Sequence, residues 1–394
     1  MSESLEPRAR PRFRLPATVV ALSVASFFND FGSEMSFPLL PLFLVSLGAS
    51  PTYLGILEGV ADATASLFKV IAGYLADRLE RSKPLVMFGY GLPCGVRPLL
   101  ALATAPFHVF GIRVIDRVGK GLRTAPRDSL IAASVPGEEA GRAFGFHRAM
   151  DHAGSVFGPL CAAAMLAMGC SFRQVFLAAL VPSLVSLVAV GAVREGARTP
   201  VRSAEETPVA TPGRQTRAFR SYLWIIVLFS LANSSDAFLL LRAREIGVSD
   251  TSVPLLWTVL NVSRMVCTFY GGRLADRFPR AGLVATGWFV FALCYLGLSF
   301  ADEAWHLWAL FVVYGLHTGI CEPAERALVR DLAAESIRGR AFGLFHGVVG
   351  ACAIPAGLTT GWLWEAFGAP TAFTVSAALA VIAAISLLLW ERSR

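Results

Sequence analysis

Residues Arg113 to Asp128 read RVIDRVGKGLRTAPRD, with five basic residues (Arg113, Arg117, Lys120, Arg123 and Arg127) and two acids (Asp116 and Asp128) between long apolar segments. On a helix of about 100° per residue, with Arg113 as zero, Lys120 and Arg127 fall within about 40° of it. Arg117 and Asp128 lie to one side, Asp116 and Arg123 to the other, so the charges occupy an arc of roughly 140°. Val114, Ile115, Val118, Leu122 and Ala125 cover the opposite side, as in an amphipathic helix. A lipid-facing charge near the bilayer centre costs about 2.5–3.5 kcal/mol, so the charged face should meet an aqueous cavity or other charges. The alternative is an amphipathic helix lying outside the membrane, and topology decides between the two.

The chain has 394 residues, 55% hydrophobic and 16% charged, and a mean hydropathy of +0.58. A soluble domain carries about 25% charged residues. A membrane span needs about 20 apolar residues, so the chain has room for roughly a dozen spans and little else. Transmembrane β-strands alternate and never stay apolar for about 20 residues, which excludes a β-barrel. The net charge of +7 could suggest nucleic acid, but the basic residues gather in short loops on one side of the membrane, so no such partner is expected. Residues 1–16 are polar, with Arg8, Arg10, Arg12 and Arg14, and read as a cytoplasmic tail instead of a cleavable signal. The seven cysteines show no CxxC spacing and read as small packing residues.

Apolar runs place spans at 17–47, 52–76, 84–104, 107–130, 143–168 and 174–193. Six more follow near 222–242, 253–275, 282–300, 305–330, 341–364 and 371–390. The expected organisation is a cytoplasmic tail (1–16), an N-terminal six-helix half (17–193), a flexible cytoplasmic linker (194–220), a C-terminal six-helix half (221–390) and a second cytoplasmic tail (391–394). With the N-terminus inside, Arg78, Arg81, Lys83, Arg142, the linker, Arg277, Arg280, Arg338 and Arg340 all fall on the cytoplasmic side. The outer loops near 48–51, 104–107, 301–304 and 366–370 carry no Lys or Arg; Arg173 and Arg244 are the exceptions. Removing the fourth span would reverse every later loop, so the charged stretch crosses the membrane.

The two halves repeat. Gly73-Tyr-Leu-Ala-Asp77-Arg78 matches Gly272-Arg-Leu-Ala-Asp276-Arg277, Ser46-Leu-Gly-Ala-Ser50 matches Glu245-Ile-Gly-Val-Ser249, and Arg142-Ala-Phe-Gly matches Arg340-Ala-Phe-Gly. Such a repeat around a linker points to a transporter with its site where the halves meet.

In these residues the whole chain resembles the major facilitator superfamily. Gly73, Asp77, Arg78, Arg81 and Lys83 match that family's loop motif G-xxx-D-R-x-G-R-x-K, with Glu80 in place of its second glycine. Gly272, Asp276, Arg277 and Arg280 repeat it after span 8. Arg113 stands where the R-xx-Q-G motif of span 4 has its arginine, with Asp116 for the glutamine and Arg117 for the glycine. Gly145-x8-Gly154-xxx-Gly158-Pro159 matches the span 5 motif of the family's antiporters, its final Gly-Gly being Ala162-Ala163. The resemblance implies an all-α polytopic protein of about twelve spans in two pseudo-symmetric halves, alternating access with a leaning toward export, and a central cavity lined by spans 1, 4, 7 and 10.

All four of those spans carry polar residues suited to the cavity. These are Asp30 and Glu34 in span 1; Arg113, Asp116, Arg117 and Lys120 in span 4; Asn233 and Asp236 in span 7; and Glu322, Glu325 and Arg326 in span 10. Span 2 adds Glu58, Asp62 and Lys69 on one stripe, where Lys69 pairs with a carboxylate at least as readily as it contacts substrate. The loop motif (Gly73, Asp77, Arg78, Arg81, Gly272, Asp276 and Arg277) sits at helix ends where an acid can cap a partner helix and an arginine can pair across, which suits a gate. Gly145, Gly154, Gly158 and Pro159 allow close helix contact and a kink. His147 and Asp151 are spaced i,i+4 and read as a relay or salt bridge with Arg148; no metal and no cofactor is expected. Gly89-x-Gly follows no strand and is no dinucleotide loop, and the glycosylation-like Asn233-Ser-Ser and Asn261-Val-Ser lie inside spans.

The reading is a secondary active transporter in the plasma (inner) membrane, both termini cytoplasmic. It is expected to be monomeric and proton-coupled, exporting a small organic solute, anionic or amphiphilic, because membrane carboxylates can take up and release protons. The rivals are an uptake permease for a carboxylate or phosphorylated metabolite and, more remotely, a membrane-embedded enzyme or a sensor. No HExxH, GxSxG or P-loop supports an enzyme.

Overall fold

The computed structural model of the protein describes residues 15–79, 81–136, 139–195, 214–333 and 338–393; the side chains at 77, 78, 214–216, 273, 276, 338 and 339 lie outside the description. Span 1 is Ala17–Ser36, a 3-10 turn Phe37–Leu39 and Leu40–Ser46; span 2 is Pro51–Arg78; span 3 is Lys83–Val96 continued by Arg97–Leu102. Spans 4 and 5 are Pro106–Ala133 and Ala140–Ala167, and span 6 joins Phe172–Ala178 to Leu180–Gly191. In the second half, span 7 is Arg214–Ala232 and Ala237–Glu245, span 8 Val253–Arg277 and span 9 Arg280–Phe300. Spans 10 to 12 are Ala304–Leu332, Arg338–Phe367 and Ala369–Arg392.

Twelve helical spans in two halves are thus present, with no strand among the described residues. Seven of them, spans 3, 6, 7, 9, 10, 11 and 12, are long and apolar enough to cross a membrane by length and composition alone. Spans 1, 2, 4, 5 and 8 fall short of that measure, and in spans 2, 4 and 5 the charged Glu58, Arg113, Asp116, Arg117, Arg123, Arg127 and Asp151 are buried within the protein.

The breaks have local causes. Pro38 and Pro41 follow Ser36 and tighten the backbone where span 1 turns into its second segment. Span 7 opens over Asn233, Ser234, Ser235 and Asp236, residues whose short polar side chains compete with helical hydrogen bonding. A continuous helix over 222–242 was the expectation there, and the structure corrects it. Span 7 also begins at Arg214, inside the stretch expected to be linker. Span 1 runs unbroken through Asn29, Asp30 and Glu34. Residues 1–14 of the expected tail and 196–213 of the linker lie outside the described residues.

The internal repeat is visible in the backbone. Gly48 and Gly247, at φ 83° and 92°, end spans 1 and 7; Gly169 and Gly368, at φ 85° and 86°, join spans 5 to 6 and 11 to 12. Each pair is 199 residues apart. At these helix ends the left-handed conformation favours glycine, which lacks a Cβ.

The halves touch along spans 2 and 11 and along spans 5 and 8. A Cβ added at Gly59 would lie 2.6 Å from the Ala353 carbonyl oxygen, and one at Gly361 would lie 2.6 Å from that of Pro51; Gly55 and Gly357 face each other just as closely. The Arg244 guanidinium donates to the Leu42 carbonyl at 2.9 Å, and Phe37 packs on Trp257 with ring centroids 4.9 Å apart. At the other end of span 11 a Cβ at Gly343 or Gly347 would meet nothing within 4 Å. The protein is therefore closed at the end bearing the 48–51 loop and parted at the end where spans 2 and 8 stop at Arg78 and Arg277.

Glycine backbones in contact leave no room for side chains, and overpacking costs about 1–3 kcal/mol. Gly59→Leu is expected to shift the population away from this closed end. Spin labels on the 48–51 and 366–370 loops should then show a longer distance than in the parent; an unchanged distribution would refute the gate.

Candidate functional site

A cavity of about 590 Å³ lies between the halves. The N-terminal half contributes Glu34 from span 1, Glu58, Asp62 and Lys69 from span 2, and Arg117 and Lys120 from span 4. The C-terminal half contributes Asn233 and Asp236 from the opened part of span 7, Arg264 from span 8, Glu322 and Glu325 from span 10, and His346 from span 11.

Span 4 places its charges mostly behind this wall, inside the N-terminal half. The Arg113 guanidinium donates to both Glu58 carboxylate oxygens at 2.9 Å, and its Nη1 is 4.0 Å from Asp116. Asp116 accepts from Arg97 at 2.7 and 3.2 Å, while Arg97 also donates to the Asn29 carbonyl at 3.2 Å. Arg123 lies 3.9 Å from Asp30 and 4.9 Å over the Tyr90 ring; Arg127 donates to Asp128 at 3.0 Å and to Ser26 at 3.1 Å. Close packing makes the pairing possible. A Cβ at Gly119 would meet the Gly89 carbonyl at 2.8 Å, and one at Gly121 would meet that of Ala65 at 2.8 Å, so spans 2, 3 and 4 approach backbone to backbone.

The cavity face of span 4 is thus narrower than its charged face. Arg117, 4.0 Å from Asp62, and Lys120 reach the cavity. Arg113 and Asp116 do not line it, and neither does Asp30; Arg113 and Asp116 border a small pocket beside Arg97. Expecting all four span 4 residues on the cavity wall was too broad, because helical phase assigns a face and not the neighbour that covers it.

In the C-terminal half, Asp236 accepts from Arg264 at 2.7 Å and from the Tyr314 hydroxyl at 2.9 Å. Arg264 lies 5.4 Å over Trp257 and 5.5 Å over Tyr314, in cation–π contact with both. Glu325 accepts from Trp288 Nε1 at 3.2 Å. Arg326 pairs with Glu322 on the same helix, and of the two Glu322 lines the cavity. A hydrogen bond crosses the cavity: Trp257 Nε1 of span 8 donates to Glu34 of span 1 at 2.6 Å.

The span 5 motif serves packing at two of its glycines. Added Cβ atoms at Gly154 and Gly158 would strike the Phe27 and Phe31 carbonyls, and the one at Gly158 would lie 3.1 Å from Glu34 Cβ. Gly158 thereby sets how deeply span 1 presents Glu34. A Cβ at Gly145 would meet nothing within 4 Å. Behind them His147 Nε2 lies 3.7 Å from Asp151 and its Nδ1 3.4 Å from Ser23. Of the loop motif, Arg81 and Arg277 stand at the parted end, while the side chains of Asp77, Arg78 and Asp276 lie outside the described residues. Arg97, Arg264, Trp257 and Tyr314 escaped the sequence reading, as did His317, which also lines the cavity. The available signal for the first two was an arginine within an apolar run, which membrane burial makes costly unless it is paired.

Two like halves of six spans around a polar cavity closed at one end form the architecture of a membrane transporter, an integral membrane protein and not an enzyme. The chain belongs to the Major Facilitator Superfamily, whose family model matches residues 22–241 and again 235–394. An uncharacterized MFS-type transporter of Methanocaldococcus jannaschii is 30% identical over 382 residues, covering 95% of each chain. The multi-drug resistance efflux pump PmrA of Streptococcus pneumoniae is 26% identical over 80% of this chain and 82% of the pump. Among solved structures, a bacterial homolog of the human lysosomal transporter Spinster, inward-facing and unoccupied, superposes with TM-score 0.80 at 16% identity over 97% of this chain and 98% of that one. A POT family transporter superposes with TM-score 0.81 at 12% identity over 97% and 99%. The structural likenesses establish the fold.

Accessibility separates the two sets of span 4 charges. In a background without the native cysteines, Cys at Arg117 or Lys120 should react with a hydrophilic thiol reagent entering from the parted end, and Cys at Arg113 should not. Equal labelling at all three positions, or none, would refute this placement.

Stability separates them too. Arg97→Met leaves Asp116 buried without its 2.7 Å partner, and breaking a buried pair costs about 3–5 kcal/mol. The single substitution should lower the melting temperature in detergent sharply, and Arg97→Met with Asp116→Asn should recover most of the loss. Equal losses in both variants would mean that Arg97 acts through packing.

Proposed function

We propose that the protein is a proton-coupled secondary transporter of the plasma (inner) membrane, both termini cytoplasmic, that exports a small organic solute by alternating access, working as a monomer. The observation that carries this reading is the cavity itself, where carboxylates from both halves face a shared space closed at one end and parted at the other. The basic residues Arg81, Lys83, Arg277 and Arg280 stand at the parted end, and the positive-inside rule assigns that end to the cytoplasm. A cavity open to the cytoplasm receives solute from inside, as export requires. The efflux-pump relative supports the same direction.

Glu34 is the best placed coupling group. Its carboxylate links the halves through Trp257, and a charge-assisted hydrogen bond weakens when the acid takes a proton. Proton uptake at Glu34 would therefore loosen the closed end, while Glu322 and Glu325 offer carboxylates on the opposite wall. Asp30 and Asp116, paired behind the cavity, hold span 4 in place. The loop motif at the ends of spans 2 and 8 (Gly73, Asp77, Arg78 and Arg81, then Gly272, Asp276 and Arg277) sits where the halves part in this state and would meet in the opposite one, which suits it to gating.

The test is transport in proteoliposomes with and without an imposed pH gradient, using a metabolite panel. The parent should accumulate its solute only with the gradient. Glu34→Gln or Glu322→Gln should abolish gradient-driven accumulation and spare solute exchange. Full accumulation by both variants would rule these acids out as proton sites, and accumulation by the parent without any gradient would overturn the coupling.

A further inference from the structure

The charges that line the cavity are sorted by half. On the N-terminal wall Lys69 of span 2 and Lys120 of span 4 lie within electrostatic reach of each other and of Arg117, with Asp62 acting on Lys69 and Asp30 on Lys120 from beyond ion-pair distance. Among the described residues neither lysine is held in an ion pair with a carboxylate, while Arg117 has Asp62 only at 4.0 Å. Glu58 does not help them, since Arg113 occupies both of its oxygens. Counting each lining charge with its direct partner, this wall carries Lys69, Arg117, Lys120 and Arg113 against Glu34, Glu58 and Asp62, a net charge of +1.

The C-terminal wall has the reverse balance. Asp236 and Arg264 neutralise each other, Arg326 neutralises Glu322, and Glu325 has no cation paired with it among the described residues. Among the described residues its hydrogen-bond partner is the Trp288 indole N–H on one oxygen. The net charge is −1, and Glu325 borders the same cavity as the lysines. Aromatic side chains, Phe229, Trp257 and Tyr314, also line this wall. Like charges gathered in a cavity walled by protein and lipid raise its free energy until a counter-charge arrives.

We propose that the solute is a zwitterion, its anionic group seated on Lys69 and Lys120 and its cationic group on Glu325. This rests on the transporter reading above and adds the substrate class to it. A purely anionic solute would leave Glu325 uncompensated, and a purely cationic one would leave the lysines so. A zwitterion cancels both walls without changing the cavity's net charge, and its body would bridge the two halves.

The experiment is binding in detergent, read as thermal stabilisation without any ion gradient. The probes are amino acids and aminoalkyl phosphonates of increasing length. Each is accompanied by its N-acetyl derivative, which keeps only the anion, and by its carboxamide or, for the phosphonates, its diester, which keeps only the cation. The expected result is stabilisation by one or more of the zwitterions, with apparent affinity falling at least tenfold on either modification. Glu325→Gln should abolish the preference for the free amine over its N-acetyl derivative. Lys69→Gln with Lys120→Gln should abolish the preference for the free acid over its amide, and Lys120→Arg should retain it. Each variant is compared with its own ligand-free melting temperature, so a loss of stability is not read as a loss of binding. Stabilisation by singly charged derivatives as strong as by the parents, no stabilisation by any zwitterion, or preferences unchanged in the variants would each overturn the proposal. A zwitterion that binds this way but is not moved in proteoliposomes would refute the transport reading and leave the site standing. A transported solute of one charge would refute the site and leave the transport reading standing.

Discussion

A charge inside a membrane must be paired or wet, and span 4 places seven charged residues under that constraint. Its cost is met in the N-terminal half by the two-pronged Arg113–Glu58 contact, with both bonds at 2.9 Å, and by Arg97 on Asp116 at 2.7 Å. Both contacts need spans 2, 3 and 4 to lie close together, which the glycines at 89, 119 and 121 permit. Were those helices a side chain further apart, the guanidinium groups could not reach their acids, and the buried charges would destabilise the half instead of joining it. The rest follows from this pairing. Once Arg113, Asp116 and Arg127 are paired inside the half and Arg123 is turned to Asp30 and the Tyr90 ring, Arg117 and Lys120 remain to face the cavity.

The C-terminal half solves a related problem differently. Its span 7 opens at Asn233 to Asp236, and Asp236 then holds Arg264 against two aromatic rings. Irregular backbone at membrane depth is tolerated where it is buried in protein or borders a water-filled cavity, and here it borders one. The pseudo-symmetry is therefore one of backbone, carried by the paired glycines 199 residues apart, while the chemistry of the two walls has diverged. That divergence gives the cavity a positive side and a negative side, and the hydrogen bond from Trp257 to Glu34 reaches from one to the other.

Much of this was legible in the residues. Hydropathy and the basic loops gave the number of spans and their order. The Gly-xxx-Asp-Arg repeat gave the two halves, and the phase of span 4 gave an inward-turned charged face. Less legible were the partners: Arg97 is a lone arginine in an apolar run, and Glu58, which does line the cavity, has both oxygens taken by Arg113. Helical periodicity reports which side of a helix is polar, but several neighbours compete for that side. The opened stretch of span 7 was also missed, because its polar run is short and flanked on both sides by strongly apolar sequence.

By itself, then, the sequence determined the class of structure, because crossing a membrane demands long apolar helices and confines charges to inward faces whatever the tertiary arrangement. It also determined the repeat, since identical turns need glycine at identical places. Only the tertiary structure decided which charges are paired inside a half and which line the cavity. An ion pair depends on a separation of a few ångströms between helices far apart in the chain, here 55 residues for Arg113 and Glu58, and no local pattern encodes that distance. The closed end was decided in the same way, by glycines of spans 2 and 11 that gain meaning only when they face one another.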